Sequence, residues 1–438
     1  LAKRYLNVKL DKQLQHSDHW NDELTEEHHQ YALRDAQTTF ELYAVLQALL
    51  NERELQDVNR REQGALPIVR EVAKNGLRLD VAGWKAELQK VSGELNQLEN
   101  QVRYQLKDST LNLHSHQQLK MALHKVGVMV DDVQEATIRQ VVHRHEALSN
   151  VLKWKKLKKI QTTFGDKLLN QVTIDQKIHG RWFTIGTATG RMSCRSLALQ
   201  ALPRRIRPYV QAREGHVLVL ADYSAIELRV LAYVSADEAL SNVFHEGKDP
   251  HRMTAASLFN VKEEDVTEEQ RNVAKVVNFG IVYGMTSHGL QHRLSTKLER
   301  DVLFEEAEQY RQRYFQTYPG VLDYQKRMLT ASVISTAGGR EYGLHVPPLP
   351  PGSVKRFNYP IQSAAADGLK EALCLWHKEK LPSYQTIHLI HDEVILEVRE
   401  EEVDEATQLL KEVMVRGMRR LIPTIPIEVE VEVRRSWS

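Results

Sequence analysis

Four side chains that could together bind a nucleoside triphosphate recur at four-residue steps between residues 264 and 284. They are Arg271, Lys275, Phe279 and Tyr283, and on an α-helix they would form one slowly drifting stripe about four turns long. Two cations near the positive end of the helix dipole suit a polyphosphate, and two aromatic rings suit a sugar and a base. The stripe is equally compatible with an ordinary amphipathic helix that has a charged start and a buried aromatic end.

Acidic side chains at the ends of two predicted strands could bind metal ions. Asp222 follows an apolar run of strand length at 217–221, and Asp392 and Glu393 occupy the tip of a predicted hairpin at 385–399. Adjacent acids on an apolar hairpin repel each other unless a cation neutralises them. Two carboxylates from one sheet could hold two Mg²⁺ ions about 3.5–4 Å apart. A simple turn acid and a hydrated hairpin tip are the alternative interpretations.

Local signals predict the helix that carries the four-residue stripe. Thr267 and Gln270 have capping-box spacing, so a helix should begin near Glu268. Gly284 is a natural stop immediately after the last member of the stripe. The two cations would then lie in the first half of this helix.

A second capping-box spacing lies just after the first predicted strand. Ser224 and Glu227 predict a helix that runs through Val234. In this arrangement Glu227 would be a cap partner and could still point at a substrate sugar. Further along, Pro250 predicts the start of a helix that carries His251.

Three more segments complete the predicted surroundings of these residues. Residues 354–376 are expected to resume a helix after Pro360, with Gln362 in its first turn. The alternating stretch 427–433 predicts a half-exposed antiparallel strand that finishes the same sheet. Residues 337–352 predict a loop because they are rich in glycine and proline.

Basic side chains also cluster outside the stripe. Residues 151–160 hold five lysines, including Lys155, Lys156 and Lys159, and no acid. Such a run is either a clamp on the phosphates of a duplex or a solvated helix face. Arg191 follows a glycine-flanked Thr-Ala-Thr segment that lets the backbone approach another group closely.

The first 55 residues are predicted to be rich in helix. Tyr31 and Asp35 lie one turn apart on the same predicted helix face. In two-metal exonucleases a Tyr and an Asp at this spacing complete a site built by several carboxylates, and those partners would come from upstream of this sequence. An ordinary helix with a surface Asp is the alternative, and we expect no independent nuclease activity.

Composition limits the possible classes of protein. The 438 residues suffice for two to four domains, and contents of 42% hydrophobic and 27% charged residues are typical of soluble globular proteins. No apolar run reaches membrane-spanning length. Two cysteines far apart in sequence give no metal or redox spacing and favour a reducing compartment. The sequence begins without an initiator Met or a signal peptide, so we expect a piece of a longer protein.

Four ordered stretches identify a family resemblance. TATGRMS, DYSAIELR, RNVAKVVNFGIVYG and HDEV resemble, in order and separation, the polymerase part of a family A DNA polymerase of the bacterial DNA polymerase I type. The resemblance covers residues 60–438, and residues 1–55 resemble the end of the 3′–5′ exonuclease domain of that family. It implies an α+β right-hand fold with an antiparallel palm sheet and helical fingers and thumb. The implied domains are an exonuclease remnant (1–55), the start of the palm (56–92), thumb (93–175), palm (176–235), fingers (236–335) and palm (336–438).

The resemblance implies roles for the acids and for the residues of the nucleotide site. Asp222 and Asp392 would be the metal ligands, helped by the carbonyl of Tyr223 and with Glu393 nearby as a further catalytic candidate. Lys275 would be a candidate general acid toward pyrophosphate. The implied nucleotide-binding set is Arg271 and Lys275 on the triphosphate, His251 supporting the phosphates, Phe279 on the sugar, Tyr283 stacking between template base and nucleotide, and Glu227 as a steric gate against a ribose 2′-hydroxyl.

The resemblance also implies contacts with DNA. Arg191 would touch the primer terminus in the minor groove, and Gln362 and His391 would line primer or template. Lys155, Lys156 and Lys159 would contact backbone phosphates of the duplex.

The expected function is DNA-directed synthesis of DNA, in replication or repair, from dNTPs on a primer–template. The expected cofactors are two Mg²⁺ ions, with Mn²⁺ able to substitute. We further expect a monomer without a membrane partner, in the cytoplasm of a bacterium or of a virus-infected host cell. Two alternatives stay open: a 3′–5′ exonuclease, and a DNA-binding scaffold without catalytic activity.

Overall fold

The computed structural model describes residues 1–16, 22–298, 300–342 and 353–438. The chain divides into two compact units, Leu1–Arg61 and Glu62–Ser438. Throughout the described segments, no helix is both long enough and apolar enough to cross a membrane.

The first unit is helical, as the sequence predicts. A short helix, α1 (Ala2–Tyr5), precedes the long helix α2 (Glu26–Glu52). Thr25 caps α2: its hydroxyl accepts a hydrogen bond from the backbone N–H of His28, and the His28 ring accepts one from the backbone N–H of Thr25. This reciprocal pair satisfies backbone donors that the first helical turn leaves without partners.

Helices also make up most of the chain after residue 55. In chain order they are α3 (Gln56–Asn75), α4 (Val81–Gln105), α5 (His116–Lys125), α6 (Glu135–Gln140), α7 (Glu146–Phe164), α8 (Asp166–Leu169), α9 (Ile226–Ser235), α10 (Glu238–His245), α11 (Pro250–Phe259), α12 (Glu268–Val282), α13 (Ser287–Leu298), α14 (Phe304–Thr317), α15 (Pro319–Thr330), α16 (Lys355–Glu379) and α17 (Val403–Arg419).

The strands are short apart from those of one antiparallel sheet. In chain order they are β1 (Leu77–Arg78), β2 (Lys177–Ile178), β3 (Arg181–Phe183), β4 (Ser193–Arg195), β5 (His216–Tyr223), β6 (Ile334–Ser335), β7 (Glu341–Tyr342), β8 (Gln385–Ile390), β9 (Glu393–Arg399) and β10 (Val429–Arg434). The main sheet has the order β10-β5-β9-β8, and the other strands form two-stranded pairs. The predicted final strand is therefore confirmed, and it lies at one edge of the sheet.

The central strand β5 is apolar from Val217 to Ala221 because both of its faces are covered there. Val219 and Ala221 belong to the hydrophobic core that contains α16 and α17, whereas Leu218 and Leu220 belong to a second core. Successive side chains of a strand point to opposite faces, so a strand buried on both sides reads as a continuous apolar run. This two-sided packing fixes the strand that carries Asp222 near its end.

Helices α16 and α17 pack closely on one side of the sheet. A Cβ atom at Gly417 would lie 2.4 Å from the backbone nitrogen of Ala372, so only glycine permits this approach. Most of α16 is buried, including its run of small residues at 363–366.

The expected start of α16 is wrong. The helix begins at Lys355 rather than after Pro360, so Gln362 lies in its second turn. Proline lacks the N–H that would bond to the carbonyl four residues earlier, but tertiary contacts hold the preceding turn. The Tyr324 hydroxyl donates to the carbonyl of Phe357 over 2.8 Å, and Arg356 Nε donates to the carbonyl of Met328 over 2.8 Å.

Of the predicted loop at 337–352, residues 343–352 lie outside the described part of the chain. Glu341 and Tyr342 form strand β7, which pairs with β6. The loop prediction therefore does not hold for these two residues.

The lysine-rich segment lies on α7, which packs along α4. Trp84 of α4 donates its indole N–H to the carbonyl of Phe164 over 2.8 Å. Val151, Trp154 and Ile160 are the buried side of α7. Helices α4 to α8 fill most of residues 84–175.

Candidate active site

Three predicted carboxylates meet at one end of the main sheet. Asp222, near the end of β5, lies opposite Glu393, the first residue of β9, in the strand register. Asp392 lies in the turn that joins β8 to β9, where His391 has a left-handed φ of 50°. Tight hairpin turns require such a conformation. The predicted hairpin is confirmed, and it brings Asp392 beside the end of the central strand.

A cleft of about 610 Å³ opens over this end of the sheet. Its lining combines Asp222 and Asp392 from the sheet with Arg271, Lys275 and Phe279 from α12. The predicted acids and the predicted cations therefore converge on one cavity, although more than forty residues separate any acid from any cation in the sequence.

Glu393 does not line this cleft. It lines a neighbouring pocket of about 390 Å³ together with Arg204, Arg207 and Glu432. Its half-buried position raises the pKa of its carboxyl to about 7, even though the charge of Arg207 opposes the shift. A catalytic role for Glu393 stays a prediction.

The acids of the cleft favour protonation in the absence of a cation. Asp222 reaches the cleft surface, but loss of bulk water around its carboxyl, reinforced by the charges of Asp392 and Glu393, raises its pKa to about 7. Burial raises the pKa of Asp392 to about 6, against the opposing charge of Arg191. Like charges in a poorly hydrated place disfavour ionisation. A bound cation would reverse this preference.

The donor set of the cleft fits a hard, oxygen-preferring cation. Asp222 and Asp392 offer carboxylate oxygens, and Tyr223 contributes its backbone to the same lining. Mg²⁺ is commonly held by one or two carboxylates together with water and substrate phosphates. Within residues 1–16, 22–298, 300–342 and 353–438, no three His, Cys, Asp or Glu side chains converge as a complete metal-binding group.

Helix α12 has the predicted ends and the predicted stripe. Thr267 and Gln270 form the reciprocal capping box, and the helix starts at Glu268. Gly284 follows the C-cap with a φ of 67°. Arg271, Lys275 and Phe279 of the stripe line the cleft, whereas Tyr283 lies at the helix end and lines another pocket.

An acid that the sequence reasoning did not single out holds the first cation of the stripe. Asp249 Oδ2 accepts a hydrogen bond from Arg271 Nε over 2.7 Å. Asp249 also caps α11 by accepting from the backbone N–H groups of His251 and Arg252. The signal was present in the sequence, because an Asp directly before Pro250 is a typical helix N-cap.

His251 lies under the cationic part of the stripe as a neutral side chain. Its Nδ1 lies 2.9 Å from the side-chain nitrogen of Asn278, and its ring centroid lies 5.8 Å from that of Phe279. Burial lowers the pKa of His251 to about 4, despite the nearby charge of Asp249. At neutral pH this ring can therefore hydrogen-bond a phosphate but adds no charge.

The predicted capping box between Ser224 and Glu227 is wrong. Ala225 is the N-cap of α9, with a left-handed φ of 49°, and no side chain caps the helix. Glu227 is instead held by two partners: Arg191 Nη2 donates to it over 2.5 Å and the Tyr283 hydroxyl over 3.3 Å. These long-range bonds, which sequence spacing does not reveal, keep Glu227 on the cleft lining.

A second cavity, of about 270 Å³, lies beside the cleft at the end of α12. Tyr283 and Gln362 both line it, and Gln362 Nε2 donates to the Tyr283 hydroxyl over 3.3 Å. His391 stands at the exposed hairpin tip, where partial burial of its ring and the charge of Arg191 lower its pKa. Tyr283, Glu227 and Arg191 thus form one connected group.

The three predicted lysines lie on α7, away from the residues that line the cleft. Lys156 and Lys159 are exposed, and burial lowers the pKa of the partly buried Lys155. Lys156 lines a groove of about 510 Å³ with Lys153, Arg204 and Arg205. These residues form a basic surface on the helical region that is separate from the cleft lined by Asp222 and Asp392.

Other members of the cleft were not identified from the sequence. Glu430 of β10 pairs with Asp222 in register and raises its pKa further. Arg229 donates to the carbonyl oxygens of Ser224 and Pro426, which ties α9 to the segment before β10. The alternating pattern of β10 could have indicated an acidic face, but only the strand order shows that this face meets Asp222.

Tyr31 and Asp35 both lie on α2 in the first unit, one turn apart as predicted. The nearby charges of Asp35 and Asp11 add to partial burial in raising the pKa of Tyr31. The side chain of Asp35 is exposed.

Comparisons with known proteins agree with this arrangement. The family described as DNA polymerase family A matches residues 83–438, and that described as 3′–5′ exonuclease matches residues 1–51. A thermostable DNA polymerase I of Thermus filiformis is 35% identical over 90% of this chain and 51% of its own length. DNA polymerase I of Pseudomonas aeruginosa is 32% identical over 93% of this chain and 47% of its own length. The chain thus spans about half the length of these relatives.

A solved structure is also similar over the whole chain. It is the polymerase domain of Pol1 from M. smegmatis in complex with DNA primer–template and dNTP, with a TM-score of 0.86 and 26% identity, covering all of this chain and 78% of that one. The expected α+β right-hand fold is therefore confirmed. On the strength of a match that covers most of its length, the chain belongs to DNA polymerase family A.

Proposed function

We propose that this chain catalyses DNA-directed synthesis of DNA by adding dNTPs to the 3′ end of a primer, in replication or repair. One observation carries the proposal: a single cleft is lined by Asp222 and Asp392 on the sheet side and by Arg271 and Lys275 on the helix side. Nucleotidyl transfer needs both a cation site beside the attacking oxygen and positive charge beside the leaving phosphates. Family membership and the similarity to a polymerase domain support the same activity.

Asp222 and Asp392, with the Tyr223 carbonyl, are the proposed ligands of two Mg²⁺ ions, for which Mn²⁺ could substitute. When bound, such ions lower the pKa of the attacking hydroxyl and stabilise charge on the leaving pyrophosphate. The oxygen donors and the raised pKa values of both carboxyls support a cation at this place.

Arg271 and Lys275 are the proposed triphosphate ligands. Arg271 is already oriented by Asp249, so a phosphate would share or replace that partner. Lys275 is exposed to the cleft and is the proposed general acid that transfers a proton to the leaving pyrophosphate. His251, neutral and fixed by Asn278, would hydrogen-bond the phosphates.

The remaining side chains of the cleft are proposed to read the sugar and the base. Phe279 lines the cleft beyond the cations and would contact the sugar. Glu227, held between Arg191 and Tyr283, would exclude a ribose 2′-hydroxyl because its carboxylate is fixed rather than mobile. Tyr283 would stack between the template base and the nucleotide.

The primer–template is the proposed macromolecular partner, with dNTPs as the small substrates. Arg191, Gln362 and His391 would meet primer or template beside the cleft, and Lys155, Lys156 and Lys159 would contact backbone phosphates without reading sequence. The proposed subdivision into palm (56–92, 176–235 and 336–438), thumb (93–175) and fingers (236–335) follows from these roles. We propose a monomer that acts in a bacterial cytoplasm or a virus-infected host cell.

Extension of a labelled primer with four dNTPs and Mg²⁺ tests the proposal. Extension that depends on template sequence is the expected result. Binding of primer–template without extension, under conditions where a known polymerase extends the same substrate, would favour the scaffold alternative.

A 3′–5′ exonuclease activity is the second candidate function, because residues 1–51 match a 3′–5′ exonuclease family. We propose that this unit is the end of an exonuclease domain and does not degrade DNA by itself. Metal-dependent shortening of a primer in the absence of dNTPs, lost in Asp35→Ala, would contradict this.

A further inference from the structure

Four charged side chains form a buried cluster beside the cleft. Arg340 Nε lies 2.8 Å from Asp367 Oδ1, and Lys370 Nζ lies 2.6 Å from Glu62 Oε1. Arg340 also contacts Glu62. Asp367 and Lys370 are fully buried, and Glu62 and Arg340 are less than 10% exposed. These four residues are called the charge cluster below.

The charge cluster is balanced, and each of its two bases pairs with at least one of its two acids. Two acids meet two bases, which is the condition for burying charges without a large loss of stability. Burial lowers the pKa of Lys370, and the charge of Glu62 opposes that shift. A buried ion pair alone is weak evidence of a stabilising role, so the bond that leaves the cluster is informative.

That bond joins the cluster to the backbone of Gly190. Lys370 Nζ donates to the Gly190 carbonyl over 2.6 Å. Gly190 has a φ of 80°, and a Cβ atom there would lie 2.8 Å from Arg340 Cζ. Lys370 therefore bonds to this glycine and Arg340 occupies the space that a side chain there would need, so no other residue type could take the position without strain.

The backbone at Gly190 leads directly to Arg191. A compact turn holds this part: Gly186 N donates to the Arg191 carbonyl over 2.8 Å, and Arg191 N donates to Thr187 Oγ1 over 3.1 Å. The Arg191 side chain then reaches Glu227 on the lining of the cleft. Contacts therefore run without a gap from the buried cluster to the nucleotide side of the cleft.

We infer that the charge cluster positions Arg191: Lys370 and Arg340 fix the backbone of Gly190, so that Arg191 meets the primer end and Glu227 in one orientation. Lys370 and Arg340 are positioning residues, because they touch the backbone that carries Arg191 rather than any substrate. This inference rests on the proposed function of the cleft. It also explains why two cations and two acids converge on a turn that lies outside the regular sheet.

A double-mutant cycle tests the inference. The first variant is Arg191→Ala, and the second is the charge-balanced pair Glu62→Gln with Lys370→Met, which leaves Arg340 paired with Asp367. We expect each to slow single-turnover addition of a correct dNTP by about 10-fold to 100-fold, since small misplacements at a reacting centre have effects of this size. The combination should be no more than about 2-fold slower than Arg191→Ala alone, because both changes remove the same contact.

If the rate loss of the combined variant equalled the product of the two separate losses, the inference would be overturned, because the cluster would then act independently of Arg191. The matched control is Glu379→Gln with Arg416→Met, an exposed pair of the same charge type (2.7 Å) that does not touch the turn; its rate should be unchanged.

If the buried pair variant does not unfold cooperatively, Glu62→Gln alone replaces it with the same two outcomes. A wild-type protein that fails to extend a primer would instead contradict the proposed function, so the two failures are distinct.

Discussion

The two sides of the cleft differ in charge and in whether that charge already has a partner. The sheet side carries acids, whereas the helix side carries cations, one of which is already paired with an acid. On the sheet side, burial raises the pKa of both Asp222 and Asp392, and the charge of Asp392 adds to the shift of Asp222. On the helix side, Arg271 is already neutralised by Asp249 at 2.7 Å. The acids are therefore prepared for a cation that is not part of the chain, whereas the cation Arg271 must exchange an existing partner for a phosphate.

The supports of the two sides differ as well. Asp222 and Asp392 are fixed by hydrogen-bonded strands whose two faces are both covered by core. Arg271 and Lys275 stand on the surface of one helix, whose buried side is formed mainly by apolar residues between 273 and 282. A rigid acidic side suits metal ions that need defined geometry, and a helix that could move toward the sheet suits closure on a nucleotide.

The largest expected effect comes from removing an acid of the sheet side. Asp222→Asn keeps the shape of the side chain but removes a proposed metal ligand, so we expect single-turnover primer extension to fall by about 10³-fold or more. Glu430→Gln, which changes the neighbouring acid in the strand register, is the matched control and should cost less than about 10-fold. Equal effects of the two substitutions would mean that only the total charge matters.

Removing a cation of the helix side should have a smaller effect. Lys275→Met removes the proposed proton donor to pyrophosphate together with one triphosphate contact, so we expect about a 100-fold loss in the single-turnover rate and a smaller loss of dNTP affinity. Arg271→Met should instead weaken dNTP binding more than it slows the step, because it removes a phosphate contact. If Lys275→Met changed only the apparent affinity for dNTP and left the single-turnover rate unchanged, the proposed role of Lys275 as a proton donor would be contradicted.

The acid side should also respond to pH in a way that the helix side does not. The folded pKa values of Asp222 and Asp392, about 7 and about 6, lie above their unfolded values. Without metal, the folded state therefore binds more protons, and the free energy of unfolding should decrease as the pH rises from about 4 to about 7.

With Mg²⁺ present this pH dependence should flatten, because the bound metal displaces those protons from the folded state. Mg²⁺ affinity should increase by up to about 10-fold per pH unit below pH 7 for each proton displaced. Thermal melts in EDTA and in Mg²⁺ between about pH 5 and pH 8 measure both effects, with Asp222→Asn as the variant expected to flatten them. A midpoint that rises with pH in EDTA would contradict the pKa assignments.

The smallest effect is expected from cations that lie outside both sides of the cleft. Substituting glutamine for Lys156 and Lys159 should weaken primer–template binding only a few-fold. The slope of the logarithm of the binding constant against the logarithm of the salt concentration should fall by about one to two, which is the number of released ions lost. The single-turnover rate at saturating DNA should not change. A slower rate at saturation would mean that α7 takes part in the chemistry after all.

Elements whose signals are local were predictable from the sequence. The capping box of α12 and the hairpin around Asp392 depend on residues within a few positions of each other, and both are confirmed. That Asp222 and Arg271 belong to one site was implied by the family resemblance, because no local spacing links two residues so far apart in sequence.

Features fixed by tertiary contacts were not predictable. Glu227 bonds to Arg191 and Tyr283 rather than to its own helix start. Likewise, contacts with α15 hold the helical turn that precedes Pro360. Partners that are distant in sequence leave no mark in local spacing, so only the folded chain reveals them.

The position of the proposed metal site depends on which carboxylate of the hairpin faces the cleft. Asp392 lines the cleft, whereas Glu393, its neighbour in sequence, lines the adjacent pocket with Arg204 and Arg207. The decisive measurement is single-turnover primer extension with Mg²⁺ for Asp392→Asn and Glu393→Gln side by side. We predict a loss of about 10³-fold or more for Asp392→Asn and less than about 10-fold for Glu393→Gln. Equal losses, or a larger loss for Glu393→Gln, would contradict the placement of the metal site on which the account rests.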